Sequence, residues 1–184
     1  MRLICYMELY RENIMGVFDG VDLTKLFDND SEYGKEYTFG EITEELIQRA
    51  EEKTGYKLSP AYIELLRSQN GGMISDELDE SWLTAIYGIA PGPDAANSLE
   101  DMFDNWRDEW EYPDIGIPFG ETQSGGHDMY YMDYRSLNEN GEPRIIRIEN
   151  EGPEDIKYYF VADDLVGFIK HILENSEIDE TPIK

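Results

Sequence analysis

The sequence predicts an α+β fold: a mainly antiparallel sheet flanked by helices, with a closing C-terminal helix. Two observations lead to this prediction. Apolar residues recur at helical spacing in the first half of the chain and again near its end, whereas residues 143–149 alternate between apolar and polar side chains. At 184 residues, the chain fits one domain over 1–184, with residues 1–40 as an extension packed on it.

Two helices are predicted in the first half. The apolar residues from Ile42 to Thr54 share one face of a helix that Gly55 would end. A second helix begins at Ser59-Pro60, because serine is a good N-cap and proline suits the first helical position. Asn70-Gly71-Gly72 is expected to end it, since glycine adopts the left-handed conformation of a C-cap at little cost.

The second half supplies most of the strands. Asn138-Glu139-Asn140-Gly141 is rich in turn formers and joins two of them into a hairpin. Leu3–Tyr10 fits either a strand or a short helix. The predicted strands are Ala85–Ala90, Ile115–Phe119, Asp128–Tyr134, Pro143–Glu149 and Lys157–Val161, and a helix is predicted over Leu99–Glu111.

The closing helix has the clearest pattern. Asp163 or Asp164 caps it, and apolar residues from Leu165 to Leu173 follow at the spacing of one buried face. Beyond it, residues 174–184 form an acidic tail that we expect to fray.

The charge of the chain restricts its partners. Its 41 acidic and 15 basic side chains give a formal charge of −26. Such a chain repels nucleic acid and anionic membranes and attracts basic proteins. The alternative interpretation is that the acidity only keeps the protein soluble. Cys5 is the single cysteine, so no internal disulfide forms. With no apolar run near the length of a membrane span, we expect a soluble cytoplasmic protein.

Gly126-His127-Asp128 is the first candidate site. A metal site or an acid–base pair is one reading, but His171 is the only other histidine, and Asp133 would add at most one further ligand. The other reading, which we favour, is a glycine turn that enters a strand, with the Asp128 carboxylate bonded to nearby backbone amides. We therefore predict no metal, no cofactor and no catalytic residue.

The segment 100–114 is the second candidate. Its carboxylates make an acidic surface suited to a basic partner, and Trp106 and Trp110 lie one helical turn apart. We expect both tryptophans in the core, with an aromatic anchor as the alternative. The acidic stretch from Glu149 to Asp155 reads as a solvated loop. The predicted partner-binding residues are Glu100, Asp101, Asp104, Asp108 and Glu111.

Several motifs together resemble the SUKH superfamily, which includes a fungal cell-wall-synthesis regulator and many bacterial immunity proteins. Leu58–Leu66, closing on Asn70-Gly71-Gly72, is similar to its helix and Asn-Gly-Gly turn. The runs Tyr112–Gly116, Ser124–Met129 and Gly141-Glu142-Pro143 resemble the group with a Gly-His-Asp signature. Ser59, where proline is common, and the variable Glu121-Thr122-Gln123 depart from the pattern.

The resemblance implies an α+β domain without catalytic residues. Bacterial members bind and neutralise a cognate polymorphic toxin, often a nuclease, and we predict that function here. Asn70, Gly71, Gly72, Gly126, His127 and Asp128 would then be structural signature residues. The alternatives are a regulatory or scaffold module related to the fungal proteins, and a hydrolase that uses His127 and Asp128. The toxin and the oligomeric state stay open.

Overall fold

The computed structural model describes residues 16–32, 34–92, 94–152, 154–175 and 178–183, without the side chains of residues 79–81. The prediction for Leu3–Tyr10 lies outside the described residues. Four α-helices are described: α1 Glu44–Thr54, α2 Pro60–Ser68, α3 Leu99–Asp104 and α4 Leu165–Leu173. The described strands are β1 Gly72–Met73, β2 Leu83–Ile86, β3 Gly116–Thr122, β4 Asp128–Leu137, β5 Pro143–Asn150, β6 Ile156–Ala162 and β7 Thr181–Ile183.

The strands form one antiparallel sheet, in which each strand pairs with its neighbours in sequence. This arrangement confirms the predicted α+β class. The hairpin of β4 and β5 is at its centre, and Ile145, Ile146 and Ile148 of β5 are fully buried. The first six residues of β4 are all buried, so this strand is covered on both faces. The core therefore lies on both sides of the sheet rather than on one.

Local capping explains where the helices begin. The side chains of Thr43, Ser59 and Asp164 each accept a hydrogen bond from a backbone amide in the first turn of α1, α2 and α4. The start of α2 receives a second support, because the Glu142 carboxylate accepts from the Ala61 amide at 3.3 Å. The helix starts at Ser59 and Asp164 are confirmed.

The end of α2 differs from the prediction. The helix ends at Ser68, and its C-cap is Gln69 in an extended conformation rather than a glycine. Asn70 instead joins three segments through its side chain. The side-chain nitrogen donates to the carbonyls of Gly40 and Ile89, and the side-chain oxygen accepts from the Ile89 backbone amide at 2.8 Å. Gly71 adopts φ +79°, and a Cβ there would lie 2.5 Å from the Tyr37 carbonyl oxygen. The Asn-Gly-Gly turn therefore serves tertiary packing.

Two strand predictions need correction. β2 spans Leu83–Ile86, so it begins and ends earlier than the predicted Ala85–Ala90. Beyond its end, the Ile89 amide donates to the side-chain oxygen of Asn70 instead of to a neighbouring strand. The tail was expected to fray, but Thr181–Ile183 pairs with β6 as strand β7. Glu180 holds this strand in place through Arg147, whose Nε lies 2.8 Å from its carboxylate oxygens.

Candidate partner-binding surface

The acidic segment after residue 98 is not one regular helix. Ser98 caps α3, since its hydroxyl oxygen accepts from the Asp101 amide at 3.3 Å. After Asp104 the helix widens into a π-helical turn over Asn105–Glu109. Such turns occur often at functional sites. The segment is thus helical from Leu99 to Glu109, close to the predicted helix over Leu99–Glu111, but its second half has π-helical instead of α-helical hydrogen bonds.

The structure contradicts the surface position predicted for Glu100. Its side chain is fully buried, and its carboxylate receives Arg49 Nε at 2.7 Å and Nη2 at 3.0 Å. This hydrogen bond to Glu100 raises the pKa of Arg49. Glu100 is buried because Arg49 of α1, on the neighbouring helix, supplies its countercharge. It offers no surface to a partner.

The other four predicted residues lie at or near the surface, with different degrees of pairing. Asp104 contacts Lys53 and also Arg107, the latter at 3.0 Å. The side chain of Arg107 binds Asp108 at 2.7 Å, and this hydrogen bond lowers the pKa of the Asp108 carboxyl. Among the described residues, Asp101 and Glu111 have no ion pair. Carboxylates without an ion pair therefore lie both at the beginning and at the end of the segment.

The two tryptophans have different environments. Trp106 is buried, as expected, and its indole nitrogen donates to the Tyr87 hydroxyl at 3.0 Å. Trp110 is 37% exposed, so its predicted core position is wrong, although its ring centroid lies 5.4 Å from that of Trp106. Trp106 thus supports Trp110 from beneath, and one part of the Trp110 indole faces solvent.

The Gly-His-Asp run packs directly on these tryptophans. Gly126 adopts φ +105°, and a Cβ at this position would lie 2.8 Å from Trp110 Cη2 and 3.1 Å from Trp106 Cζ3. The Tyr112 hydroxyl donates to the Gly126 carbonyl at 2.7 Å. The sequence analysis treated the Gly-His-Asp run and the acidic segment as separate sites, but in the structure they form one surface.

His127 belongs to this surface, whereas Asp128 belongs to the sheet. The His127 ring stands edge-on to Trp110 at 6.0 Å, and its Nδ1 lies 3.7 Å from a Glu151 carboxylate oxygen. Asp128 is buried and pairs with Arg147, not with backbone amides as predicted. Because the two side chains have separate partners, they do not form the acid–base pair that hydrolysis would need.

The acidic loop after β5 lies beside the same surface. The Asn150 amide donates to the His127 carbonyl at 2.7 Å, and its side chain donates to the Trp110 carbonyl at 2.7 Å. Glu151 is half exposed, as a solvated loop predicts. Sequence reasoning missed its proximity to Trp110. The available signal was topological, since the loops after β3 and β5 lie at the same end of an antiparallel meander.

The described residues contain no group of three or more histidine, cysteine, aspartate or glutamate side chains that could hold a metal ion. Asp133, one of the ligands considered, is buried between Arg135 and Arg144. It does not join His127. Within the described residues, no helix is long and apolar enough to span a membrane.

A comparison with known families bears on this geometry. Residues 41–171 match the SMI1 / KNR4 family (SUKH-1). The chain belongs to this family. The matched range begins just before α1 and ends inside α4, so it contains the acidic segment, the Gly-His-Asp run and most of the sheet. No curated protein matches the chain.

Membership in the SUKH-1 family confirms the superfamily that the motifs resemble. It supports an immunity-protein-like role or a role of the SMI1/KNR4 type, either of which rests on protein binding. The assignment to a group with a Gly-His-Asp signature stays a prediction. What the structure adds is a packing role for Gly126, whose missing side chain lets two indole rings approach the loop.

Proposed function

We propose that this protein binds and neutralises a basic protein toxin, with a nuclease domain as the leading class. Family membership supports binding of a protein rather than chemistry. The observation that carries the proposal is the acidic segment from Asp101 to Glu111, which includes the exposed Trp110, on a chain of formal charge −26. A nuclease must be positively charged to hold nucleic acid, so the two surfaces are complementary.

Occlusion is the mechanism that such a surface suits. A standard protein interface covers about 800 Å² on each partner, which is enough to block an active site. The negative field of the chain speeds the encounter, most strongly at low salt. The proposed contacts are Asp101, Asp104, Asp108 and Glu111, without Glu100.

Co-expression tests the function. The chain is expressed together with each toxin-like gene encoded beside its own, and growth and co-purification are measured. We expect growth to be rescued and a stable complex to co-purify with one of them. Failure with every neighbouring candidate would reject toxin neutralisation.

Charge reversal tests the surface. Asp108→Lys and Glu111→Lys are each compared with Glu139→Lys, which makes the same charge change in the turn at the opposite end of β4. We expect the first two to slow association with the captured toxin several-fold at low salt, while the control stays near the wild-type rate. Equal rates in all three variants would remove this surface assignment and leave the function standing.

A regulatory or scaffold module is the second candidate, and the family match favours it as much as it favours immunity. Such a module would bind several partners weakly rather than one tightly. Binding measurements on co-purified proteins distinguish the two, because neutralisation of a toxin needs a long-lived complex with one partner.

A further inference from the structure

Two exposed tryptophans flank one loop at an end of the sheet. Trp82, which precedes β2, is 55% exposed, and Trp110 is 37% exposed. The loop between β3 and β4 lies between them: the Gln123 amide donates to the Trp82 carbonyl at 3.3 Å, and Gly126 packs on Trp110. Exposed indoles are uncommon on a protein surface and are enriched at the centres of binding sites.

The backbone beside both indoles is strained. Trp82 adopts φ +60° and Glu111, next to Trp110, adopts φ +55°. A bulky residue in this region is a true outlier, which costs about 1–3 kcal/mol and persists only where the surroundings enforce it. Here hydrogen bonds to the carbonyls of Trp82 and Trp110 hold the chain. The indoles are therefore presented on a fixed backbone.

The charge around Trp110 is negative on several sides. Glu109 and Glu111 precede and follow it in the chain. Glu151 lies nearby, because its carboxylate contacts His127, whose ring stands against Trp110. Arg107, the cation nearest in sequence, already pairs with Asp104 and Asp108. Within the described part of the chain, Glu109 and Glu111 have no ion pair. An exposed indole beside such carboxylates is a favourable position for a cation from outside the molecule.

We propose that Trp82, Glu109, Trp110, Glu111, His127 and Glu151 form the contact surface for an arginine-bearing segment of a basic protein, with Trp110 as its central residue. The inference rests on the proposed function and adds the chemistry of the partner. A guanidinium is preferred to an ammonium, because it stacks on an aromatic face and binds a carboxylate through two donors at once. The competing occupant is a second copy of this chain, joined through its tryptophans.

The indole N–H signals of the protein provide the test. The chain has three tryptophans, and Trp106 is an internal reference because its N–H is buried and bonded to Tyr87. The ¹⁵N-labelled full chain is titrated with a five-residue peptide of alternating glycine and arginine, and with matched lysine and citrulline peptides. We expect a saturable shift of the Trp110 signal with affinity in the order arginine, lysine, citrulline, while the Trp106 signal moves little.

Variants decide whether Trp110 is responsible. Trp110→Leu, which keeps an apolar side chain but removes the aromatic face, is expected to weaken arginine-peptide binding about tenfold. Glu139→Lys, at the other end of the sheet, is the matched control and should leave the affinity close to that of the wild type. Unchanged affinity in Trp110→Leu, or shifts confined to other signals, would overturn the proposal.

Two further outcomes separate this inference from neighbouring ones. The sedimentation coefficient of the free chain is measured at several protein concentrations. If it rises with concentration, and if Trp82→Leu abolishes that rise, the surface is assigned to self-association instead. Arginine-peptide binding at Trp110 without rescue of growth by any toxin pair would retain the surface and reject toxin neutralisation. Rescue of growth by the Trp110→Leu variant at the wild-type level would reject the surface alone.

Discussion

The contact between Gly126 and the tryptophans makes a sharp prediction about stability. In Gly126→Ala, the new Cβ would lie 2.8 Å from Trp110 Cη2 and 3.0 Å from Cζ2, so the indole or the loop must move. The backbone, at φ +105°, adds strain. We expect the free energy of unfolding to fall by roughly 2–6 kcal/mol, from about 1–3 for the backbone and about 1–3 for the forced packing.

Gly125→Ala is the matched control. Gly125 also has a positive φ, +70°, but no atom lies within 4 Å of a Cβ built there. Only the backbone cost applies, about 1–2 kcal/mol. The free energy of unfolding of both variants is measured by urea unfolding followed by tryptophan fluorescence. An unchanged slope of this free energy against urea concentration would show that the same transition is compared.

A double variant tests the cause. If the new methyl group collides with the Trp110 indole, then Trp110→Leu removes the collision. The double variant should then lose about 0.5–3 kcal/mol less unfolding free energy than the sum of the two single variants. Equal destabilisation by Gly125→Ala and Gly126→Ala, or strict additivity in the double variant, would refute the packing argument. The loop would then owe its glycines to backbone conformation alone.

Three further predictions concern charged groups away from this loop. Arg49→Met should lower the free energy of unfolding by about 3 kcal/mol in urea titrations, because it leaves the buried Glu100 carboxylate without its partner; a loss below about 1 kcal/mol would contradict this. Burial raises the pKa of Glu121, so its contribution to stability is full below the ordinary value of 4.5 and is lost as the pH rises through the raised pKa; Glu121→Gln should remove this dependence, and parallel stability–pH curves for the two proteins would exclude it. Glu180→Ala should speed hydrogen exchange of the β7 amides several-fold by releasing Arg147, with global stability nearly unchanged, and equal exchange rates would show that β7 is held by its ladder alone.

Features fixed by neighbouring residues were predictable from the sequence. Ser59 and Asp164 cap their helices through amides three residues ahead, so the signal and its result lie in the same short stretch. The hairpin of β4 and β5 follows from alternation and a turn, which are also local. These elements were predicted with the correct type and nearly the correct limits.

Features fixed by distant residues were not predictable. Glu100 is buried because Arg49, 51 residues earlier, supplies its countercharge. Trp110 is only partly covered, and Gly126, which packs against its ring, lies in a different loop. At helical spacing, a core tryptophan and a surface tryptophan look the same, since the pattern records one face of a helix and not what packs against it.

Charge and tryptophan have different parts in the proposed binding. The charge of −26 acts over the whole approach of a basic partner, so it mainly sets the association rate and its dependence on salt. Trp110 acts only after contact, when its indole is covered, so it mainly sets the lifetime of the complex. Charge reversal at Glu111 should therefore slow association, whereas Trp110→Leu should speed dissociation. A field that attracts any basic protein gives little selectivity, and the fixed indole beside Gly126 supplies the shape that one partner matches.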